Sequence, residues 1–218
     1  MAPLAGTDVT LVVADVAVIG AGPAGIAAAI RAAESGLRVV VLDRGLEPGG
    51  QIWRHVAGGS IPRLAQHWIA QLAPSGAKVI HGTSVVDVRT DDTGFEILAD
   101  SSGSALRVRT SRIILATGAR ELFIPFDGWT LPGVMGIGGA QALLKSGASF
   151  SGKRVVIAGS GPLMLPVAAS LSGSRARLVL VAEQATRSAV ARFAGGLWRA
   201  PSLLVQAARY RTRFVQAY

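Results

Sequence analysis

Apolar and polar positions along the chain change their period at clear boundaries, and the first changes predict a βαβ unit. Residues 15–43 begin with the strand-like DVAVI, turn at a glycine cluster, run through an alanine-rich helical stretch to Gly36 and end in LRVVVLD. Residues 44–59 predict a loop because glycine and proline recur in them, and residues 61–75 predict a helix. A strand, helix and strand in this order favour a parallel sheet.

Short alternating segments follow, and they predict a β-meander inserted into this first unit. AKVIHG, SVVDVRT, GFEILAD and ALRVRTSRIILATG are separated by turn residues, and we expect RIILATG to form a buried strand after the meander. A second βαβ opening begins at Lys153 with KRVVIAG, PLMLPVAASLSG and ARLVLVAE. The predicted fold class is therefore α/β, with one Rossmann-like domain over residues 1–120, a connector over 121–152 and an incomplete second Rossmann-like domain over 153–218.

Composition indicates the class of protein, but it says little about which reaction the protein could catalyse. Half of the 218 residues are hydrophobic and 16% are charged, which is typical of a globular chain, and cysteine is absent, which removes disulfides and thiolate metal sites. No basic start precedes the apolar N-terminal stretch and no apolar run is long enough to span a bilayer, so we expect a cytoplasmic protein without a membrane span.

The charge of +9 is concentrated at the C-terminal end. No acidic residue follows Glu183, whereas six arginines do. Two interpretations remain open, a solvated helical surface and a patch that binds a phosphate or a partner, while a nucleic-acid partner is not predicted because charge alone indicates solubility and association.

The glycine cluster after the first strand has the pattern of a dinucleotide-binding turn. In GAGPAG, Gly20 would form the tight turn, Gly22 would let a pyrophosphate approach the backbone, and Gly25 would let helix and strand pack closely, with Ala21, Pro23 and Ala24 between them. The following helix would direct its free N–H groups at the phosphates. The alternative is a glycine turn that only connects strand and helix.

An acidic residue completes the first pattern. Asp43 closes the second strand, directly before Arg44, where a carboxylate accepts the hydroxyl groups of an adenosine ribose and repels a 2′-phosphate.

The second βαβ opening repeats the glycine pattern and the acidic strand end, with changes. Gly159 and Gly161 are present, Met164 stands where the third glycine would be, and Glu183 ends the next strand. Pro166 removes one N–H group early in the predicted helix. Either this half binds a nucleotide, in which case Glu183 favours NAD over NADP, or it is a structural half that no longer binds.

Three further segments have an informative order. PGGQIWR carries Gly50 and Gln51, ILATGA carries Thr117 and Gly118, and GWTLPGV follows. Each alone is most often a turn, but each of the first two also allows a close approach of backbone to a long dinucleotide.

This order resembles the two-dinucleotide flavoproteins of the pyridine-nucleotide disulfide reductase superfamily. GGQIWR, ATGARELFIPFDGWTLPGVMGIGGAQALLKSG and GKRVVIAGSGPLMLPVAASL are most similar to the flavoprotein subunit of opine oxidases, hydroxyproline or proline dehydrogenases and hydrogen cyanide synthase. The resemblance implies an FAD-binding first domain and a second domain for which NAD is the candidate ligand. From the two glycine patterns and that resemblance together, the predicted cofactor-binding residues are Gly20, Ala21, Gly22, Pro23, Ala24, Gly25, Asp43, Arg44, Gly50, Gln51, Thr117, Gly118, Gly159, Gly161 and Glu183.

The resemblance also implies an activity. It predicts an FAD-dependent oxidoreductase, one subunit of a heteromeric amine or imino-acid dehydrogenase, whose substrate is oxidised here or on a partner subunit. No side chain is predicted as a catalytic acid or base, because the cofactor carries the redox step. No metal ligand is predicted. The absence of cysteine excludes the dithiol exchange of thioredoxin reductases.

One departure from the family pattern keeps an alternative open. Family members return after the second domain to complete the first with a strand that ends in Gly-Asp, and this sequence ends at Tyr218 before such a segment. We therefore expect the front part of a larger subunit, and the alternative is a truncated nucleotide-binding subunit without turnover of its own.

Overall fold

The structure, a computed structural model, describes most of the chain in two compact units. The described residues are 9–54, 61–161, 163–200, 202, 203, 205, 209 and 210. The units comprise residues 1–120 and 121–218. The end of the predicted loop at residues 55–59 and the arginines at 211 and 213 lie outside the described residues.

The first unit opens with the predicted βαβ arrangement. Strand β1 (Thr10–Ile19), helix α1 (Pro23–Glu34) and strand β2 (Val39–Leu42) follow one another, and β2 lies parallel to β1. All four residues of β2 are buried, as expected for a parallel strand covered on both faces. Gly36 follows the end of α1 with φ +82°, a conformation that favours glycine after a helix.

The segment AKVIHG belongs to the parallel sheet, so its predicted place in the meander was wrong. Helix α2 (Arg63–Leu72) leads into strand β3 (Lys78–Ile80), which pairs parallel to β2. A strand of three residues is too short for its alternation to distinguish a parallel from an antiparallel partner.

The meander consists of strands β4 (Thr83–Asp91), β5 (Gly94–Ser101) and β6 (Ser104–Leu115), each antiparallel to the next. Strand β6 also pairs with β1 in parallel along nearly its whole length, which joins all six strands in the order β3-β2-β1-β6-β5-β4. The prediction of a separate buried strand RIILATG was wrong, because its first four residues continue the last meander strand, its last three lie beyond the end of that strand, and Leu115 is 76% exposed.

Apolar residues on the two faces of this sheet build two cores. On one face, Ile26 and Ile30 of α1 pack against Val16 and Val18 of β1. On the other face, residues of β1 and β2 pack against β5 and β6, with Ile97 and Val108 fully buried. The helix and the meander therefore fix the position of β1 from opposite sides.

The second unit is a smaller βαβ arrangement preceded by a helix. Its elements are α3 (Ile137–Lys145), β7 (Arg154–Gly159), α4 (Met164–Gly173), β8 (Arg177–Glu183), α5 (Arg187–Gly196) and a 3₁₀ turn at Leu197–Arg199. Strands β7 and β8 are parallel, and α4 buries Val167 and Leu171 against Ile157 and Leu178. Ile137 of α3 packs on the same core, so part of the predicted connector is packed structure.

Within the described part of the chain, no helix combines the length and the apolar composition needed to cross a membrane.

Candidate dinucleotide-binding site

The glycine turn of the first unit lies where three parallel strands end. The N–H of Gly20 donates to the carbonyl of Leu42 at 2.8 Å, and the N–H of Ala116 donates to the carbonyl of Ile19 at 2.9 Å. The ends of β1, β2 and β6 are thereby held side by side. This carboxyl edge is where open α/β sheets bind their ligands.

Gly20 and Gly25 are required for packing within the turn. Gly20 has φ +104°, and a Cβ built on it would overlap the carbonyl group of Ala116. A Cβ on Gly25 would overlap the carbonyl oxygen of Gly20 and would lie 3.3 Å from the Ala116 Cβ. These two glycines let α1 and β6 approach the turn, so side chains are excluded here by the fold itself.

Gly22 has a different environment, since a Cβ built on it would meet no atom within 4 Å. It is the N-cap of α1, with φ −73° and no side-chain cap, and the first turn of α1 carries no acidic residue. Among the described residues, the N–H groups of Gly22, Ala24 and Gly25 have no hydrogen-bond acceptor. Open space beside free N–H groups at a helix N-terminus fits a pyrophosphate.

Asp43 follows β2 and reaches the glycine turn. Its Oδ2 accepts a hydrogen bond from the N–H of Ala21 at 2.6 Å, and its Oδ1 accepts one from the N–H of Gly45 at 2.7 Å. Each carboxylate oxygen has a second lone pair, so the group can still accept the hydroxyl groups of a ribose. Arg44 beside it is exposed.

The loop after Asp43 packs on the same turn. The N–H of Gly49 donates to the carbonyl of Ala21 at 2.7 Å, and a Cβ on Gly50 would lie 2.9 Å from the Cα of Gly22. Gly49 and Gly50 have φ values of +124° and +58°, which suit glycine. The loop therefore forms a wall of the turn, and the exposed Gln51 follows it.

Thr117 and Gly118 lie shortly beyond the end of β6. A Cβ built on Gly20 would lie 3.4 Å from the Thr117 Cα, so the backbone of this segment borders the turn. Gly118 has φ +72°, and open space lies beside it. The structure thus brings together Asp43, Gly50, Thr117 and the turn in the first unit.

The second unit repeats the acidic contact. The carboxylate of Glu183 accepts the N–H of Ala185 at 2.9 Å through Oε1 and the N–H of Gly161 at 3.0 Å through Oε2. These two donors, Ala185 first, hold the pKa of Glu183 below its ordinary value. The carboxylate is therefore ionised at neutral pH.

Met164 changes the glycine turn of the second unit. Its buried side chain brings Sδ to 3.4 Å from where a Cβ of Gly159 would lie. Helix α4 begins at Met164 itself, whereas α1 begins at Pro23, three residues after its first glycine. The N–H of Met164 donates to the carbonyl of Gly161 at 3.4 Å. The second turn thus offers a different set of donors from the first.

Comparison with known proteins identifies the family of this chain. The family described as pyridine nucleotide-disulphide oxidoreductase matches residues 14–195. The chain belongs to this family. The resemblance and the α/β fold class predicted from the sequence are confirmed. Membership of this oxidoreductase family implies FAD as the cofactor. The open cradle at Gly22 fits the pyrophosphate of that cofactor.

Individual relatives are longer than this chain. One subunit of the opine oxidase of Rhizobium meliloti (strain 1021) is 40% identical over 185 residues, which are 81% of this chain and 40% of the relative. Hydrogen cyanide synthase subunit HcnB of Pseudomonas protegens is 33% identical over 197 residues, which are 86% of this chain and 42% of the relative. The chain thus spans about 40% of the length of these curated relatives, both of which are subunits.

A solved structure gives the same fold. L-proline dehydrogenase from P. horikoshii superposes with a TM-score of 0.66 at 24% identity, over 80% of this chain and 36% of that chain. It supports the arrangement of strands and helices described above.

Two contacts of this family member were not predicted from its sequence. Position 45 favours glycine, because a Cβ on Gly45 would lie only 2.7 Å from Oδ1 of Asp43. Gly49 belongs to PGGQIWR, for which a close approach of the backbone to a dinucleotide was predicted, but its hydrogen bond to the carbonyl of Ala21 was not predicted. The sequence signal that could have indicated the contact of Gly45 is a glycine two residues after the acidic strand end. A side chain at that position would displace the carboxylate. The described residues contain no cluster of His, Asp or Glu that could hold a metal ion.

Proposed function

We propose that this chain is the FAD-binding part of one subunit of a heteromeric amine or imino-acid dehydrogenase. The observation that carries the proposal is the open cradle at Gly22, with a helix N-terminus behind it. The relative from Rhizobium meliloti, named as a subunit of an opine oxidase, supports an opine-type substrate class and a partner subunit. A cytoplasmic location remains a prediction.

Each residue of the first site has a binding role in this proposal. The N–H groups of Gly22, Ala24 and Gly25 face the pyrophosphate, and Asp43 accepts the adenosine ribose. Pro23 starts α1 without an N–H group to satisfy. Gly50, Gln51, Thr117 and Gly118 border the cofactor, and Ala21 and Arg44 flank its contacts.

The chemistry follows from the cofactor and the environment that the chain gives it. When bound, FAD supplies the acceptor for the hydride that leaves the carbon of a C–N bond. The chain holds the dinucleotide through main-chain donors and one carboxylate, so its part is binding and orientation. No described side chain is assigned a proton-transfer role.

The second unit is a candidate site for a second nucleotide. Gly159, Gly161 and Glu183 repeat the turn and the acidic strand end, which supports binding of NAD, and the carboxylate of Glu183 disfavours the 2′-phosphate of NADP. The division of the chain into an FAD domain and an NAD domain remains a proposal.

Titration of the 218-residue chain with FAD tests the first part of the proposal. We expect flavin fluorescence to be quenched on binding, and we expect Asp43→Ala to weaken binding by at least about tenfold, since it removes charge-assisted hydrogen bonds. Asp15→Ala is the matched control, because Asp15 pairs with Arg38, which lies directly before β2 and therefore at the end of that strand opposite Asp43. Equal binding of FAD by wild type and the Asp43 variant would contradict the assigned site.

Anaerobic reduction separates an active subunit from one without turnover. Wild-type chain loaded with FAD, and mixed with its partner subunit, should bleach at the flavin absorption band when an opine or a cyclic amino acid is added. A chain that binds FAD but stays oxidised with every such amine, with and without its partner, would favour the subunit without turnover.

A further inference from the structure

The acidic residues at the two strand ends differ by one methylene group, and they contact different amides of their glycine turns. We propose that this length selects which amide is withheld from a phosphate, Ala21 by Asp43 and Gly161 by Glu183. The inference rests on the proposed nucleotide-binding function, but the contacts on which it depends are present in the unliganded chain.

In the first unit, Asp43 contacts the second residue of the turn. Ala21 is completely buried, and its N–H donates to Asp43 Oδ2 at 2.6 Å while its carbonyl oxygen accepts from Gly49. Both polar groups of this residue are satisfied inside the protein, so neither is available to a ligand. The N–H of Gly22, one residue further on, is left for the phosphate.

In the second unit, the longer side chain reaches the third residue of the turn. Gly159 pairs with Glu183 in the parallel register, and Glu183 Oε2 accepts the N–H of Gly161 at 3.0 Å. Gly161 occupies the position that Gly22 occupies in the first turn. The donor left free in the first unit is therefore taken by a carboxylate in the second.

The second oxygen of each carboxylate makes the same contact in both units. Asp43 Oδ1 accepts from Gly45 and Glu183 Oε1 accepts from Ala185, in each case the N–H two residues after the acid. Because this hydrogen bond is the same in both units, the extra methylene group of Glu183 changes only how far the other oxygen reaches along the glycine turn. Side-chain length then determines the turn amide that is contacted.

The arrangement has a consequence for ligand choice. A pyrophosphate at the second turn would compete with a carboxylate for the Gly161 N–H, whereas one at the first turn meets a free Gly22 N–H. Asp43 and Glu183 are thus positioning residues that act through the main chain, in addition to facing a ribose.

Amide hydrogen exchange of the ¹⁵N-labelled, nucleotide-free chain tests the inference directly. In wild type we expect slow exchange at Ala21 and Gly161. Asp43→Glu should transfer protection from Ala21 to Gly22, and Glu183→Asp should transfer it from Gly161 to Ser160, by at least about tenfold in rate in each case. Both substitutions keep the charge, so a general electrostatic effect is held constant.

Asp15→Asn is the control for loss of a carboxylate contact elsewhere on the same sheet. Asp15 accepts the N–H of Arg38 at 2.8 Å, directly before β2 and therefore at the end of that strand opposite Asp43. We expect this variant to leave exchange at Ala21 and Gly22 unchanged. Protection that stays on Ala21 in Asp43→Glu and on Gly161 in Glu183→Asp, in variants that keep the wild-type far-ultraviolet circular dichroism, would overturn the inference.

Affinity supplies the second measurement. Asp43→Glu should bind FAD at least about tenfold more weakly than wild type although it keeps the ribose acceptor. A chain that binds no FAD at all would refute the proposed function, but it would leave the exchange result, and hence the assignment of turn amides, standing. Should Asp43→Glu not fold, Glu183→Asp decides the inference by the position of its protected amide.

Discussion

The N–H of Gly49 donates to the carbonyl oxygen of Ala21 over 2.7 Å. Asp43 accepts the N–H of the same alanine, so the loop of residues 43–50 binds both polar groups of one buried residue. Backbone groups buried in this way are costly to leave unpaired. The loop and the glycine turn therefore form one structural unit, and we expect a substitution in either to alter the conformation of the other.

Substitutions at Gly22 should separate binding from stability. Gly22→Asp places a preferred N-cap and a negative charge at the start of α1, which has no acidic residue in its first turn. No atom lies within 4 Å of the new Cβ, so we expect the free energy of unfolding to rise by about 0.5 kcal/mol. FAD binding should be lost, because the carboxylate fills the cradle and repels the pyrophosphate.

Gly22→Asn is the matched partner for that change. Asparagine has nearly the same shape and is an equally good N-cap, but it carries no charge. Its FAD affinity should lie between those of wild type and Gly22→Asp in a fluorescence titration. If Gly22→Asp bound FAD as tightly as wild type, Gly22 would not face the pyrophosphate.

Gly25→Ala should act on the fold first. Its Cβ would overlap the Gly20 carbonyl oxygen and crowd the Ala116 Cβ, so we expect a loss of about 1–3 kcal/mol in the free energy of unfolding, measured in urea. Gly22→Ala, in open space, should cost less than about 1 kcal/mol. Equal losses in the two variants would mean that α1 does not pack on the turn as described.

The ion pair of Asp15 and Arg38 should make stability depend on pH in the acid range. The Arg38 side chain donates to Asp15 and lowers the pKa of its carboxyl group from 3.8 to about 2. A carboxyl group whose pKa is lower in the folded state stabilises the fold fully above its unfolded pKa, and that contribution is lost as the pH falls towards about 2. The Arg38 side chain is largely exposed and that of Asp15 is partly exposed, so the effect should be small and should weaken in salt.

Urea unfolding of wild type and Asp15→Asn, between about pH 5 and pH 2, measures this contribution. The difference between the two proteins should shrink as the pH falls. Asp92→Asn, the same substitution in an exposed turn, serves as the control. A difference that is constant over this range would show that the ion pair does not determine the pKa of Asp15.

Glu121 should stabilise the start of α3. Its two carboxylate oxygens accept the N–H groups of Ile137 and Gly138, both at 2.8 Å. Glu121→Ala removes this cap, and we expect a cost of about 1 kcal/mol with faster amide exchange at both donors. Gly139→Ala, in open space inside the same helix, should change stability in the opposite direction by about 0.5–1 kcal/mol.

The sequence predicted that the glycine turn and Asp43 of the first unit lie close together, because the signals for this are local or follow from strand direction. The three glycines mark a strand-to-helix turn, and Asp43 had to lie near them because the carboxyl ends of adjacent parallel strands share one edge. The main-chain hydrogen bonds that Asp43 accepts from Ala21 and Gly45, and that Gly49 donates to Ala21, could not be predicted in the same way. Main-chain donors have no residue-specific signature, and only the positions of glycines hint at them.

The strand arrangement was predicted less well for a similar reason. Alternation identified AKVIHG and RIILATG as strands, but it carries no information about which neighbour each strand pairs with. The helix α2 that precedes β3 brings it back parallel to β2, and β6 is placed by its pairing with β1 along most of their length.

Strand β6 belongs to both halves of the sheet in the first unit: its twelve residues close the meander on one side and complete the parallel strands on the other. The meander therefore cannot be excised as an independent module. A deletion that removed it would take away the neighbour that aligns β1 and, with it, the Ala116 backbone that supports Gly20.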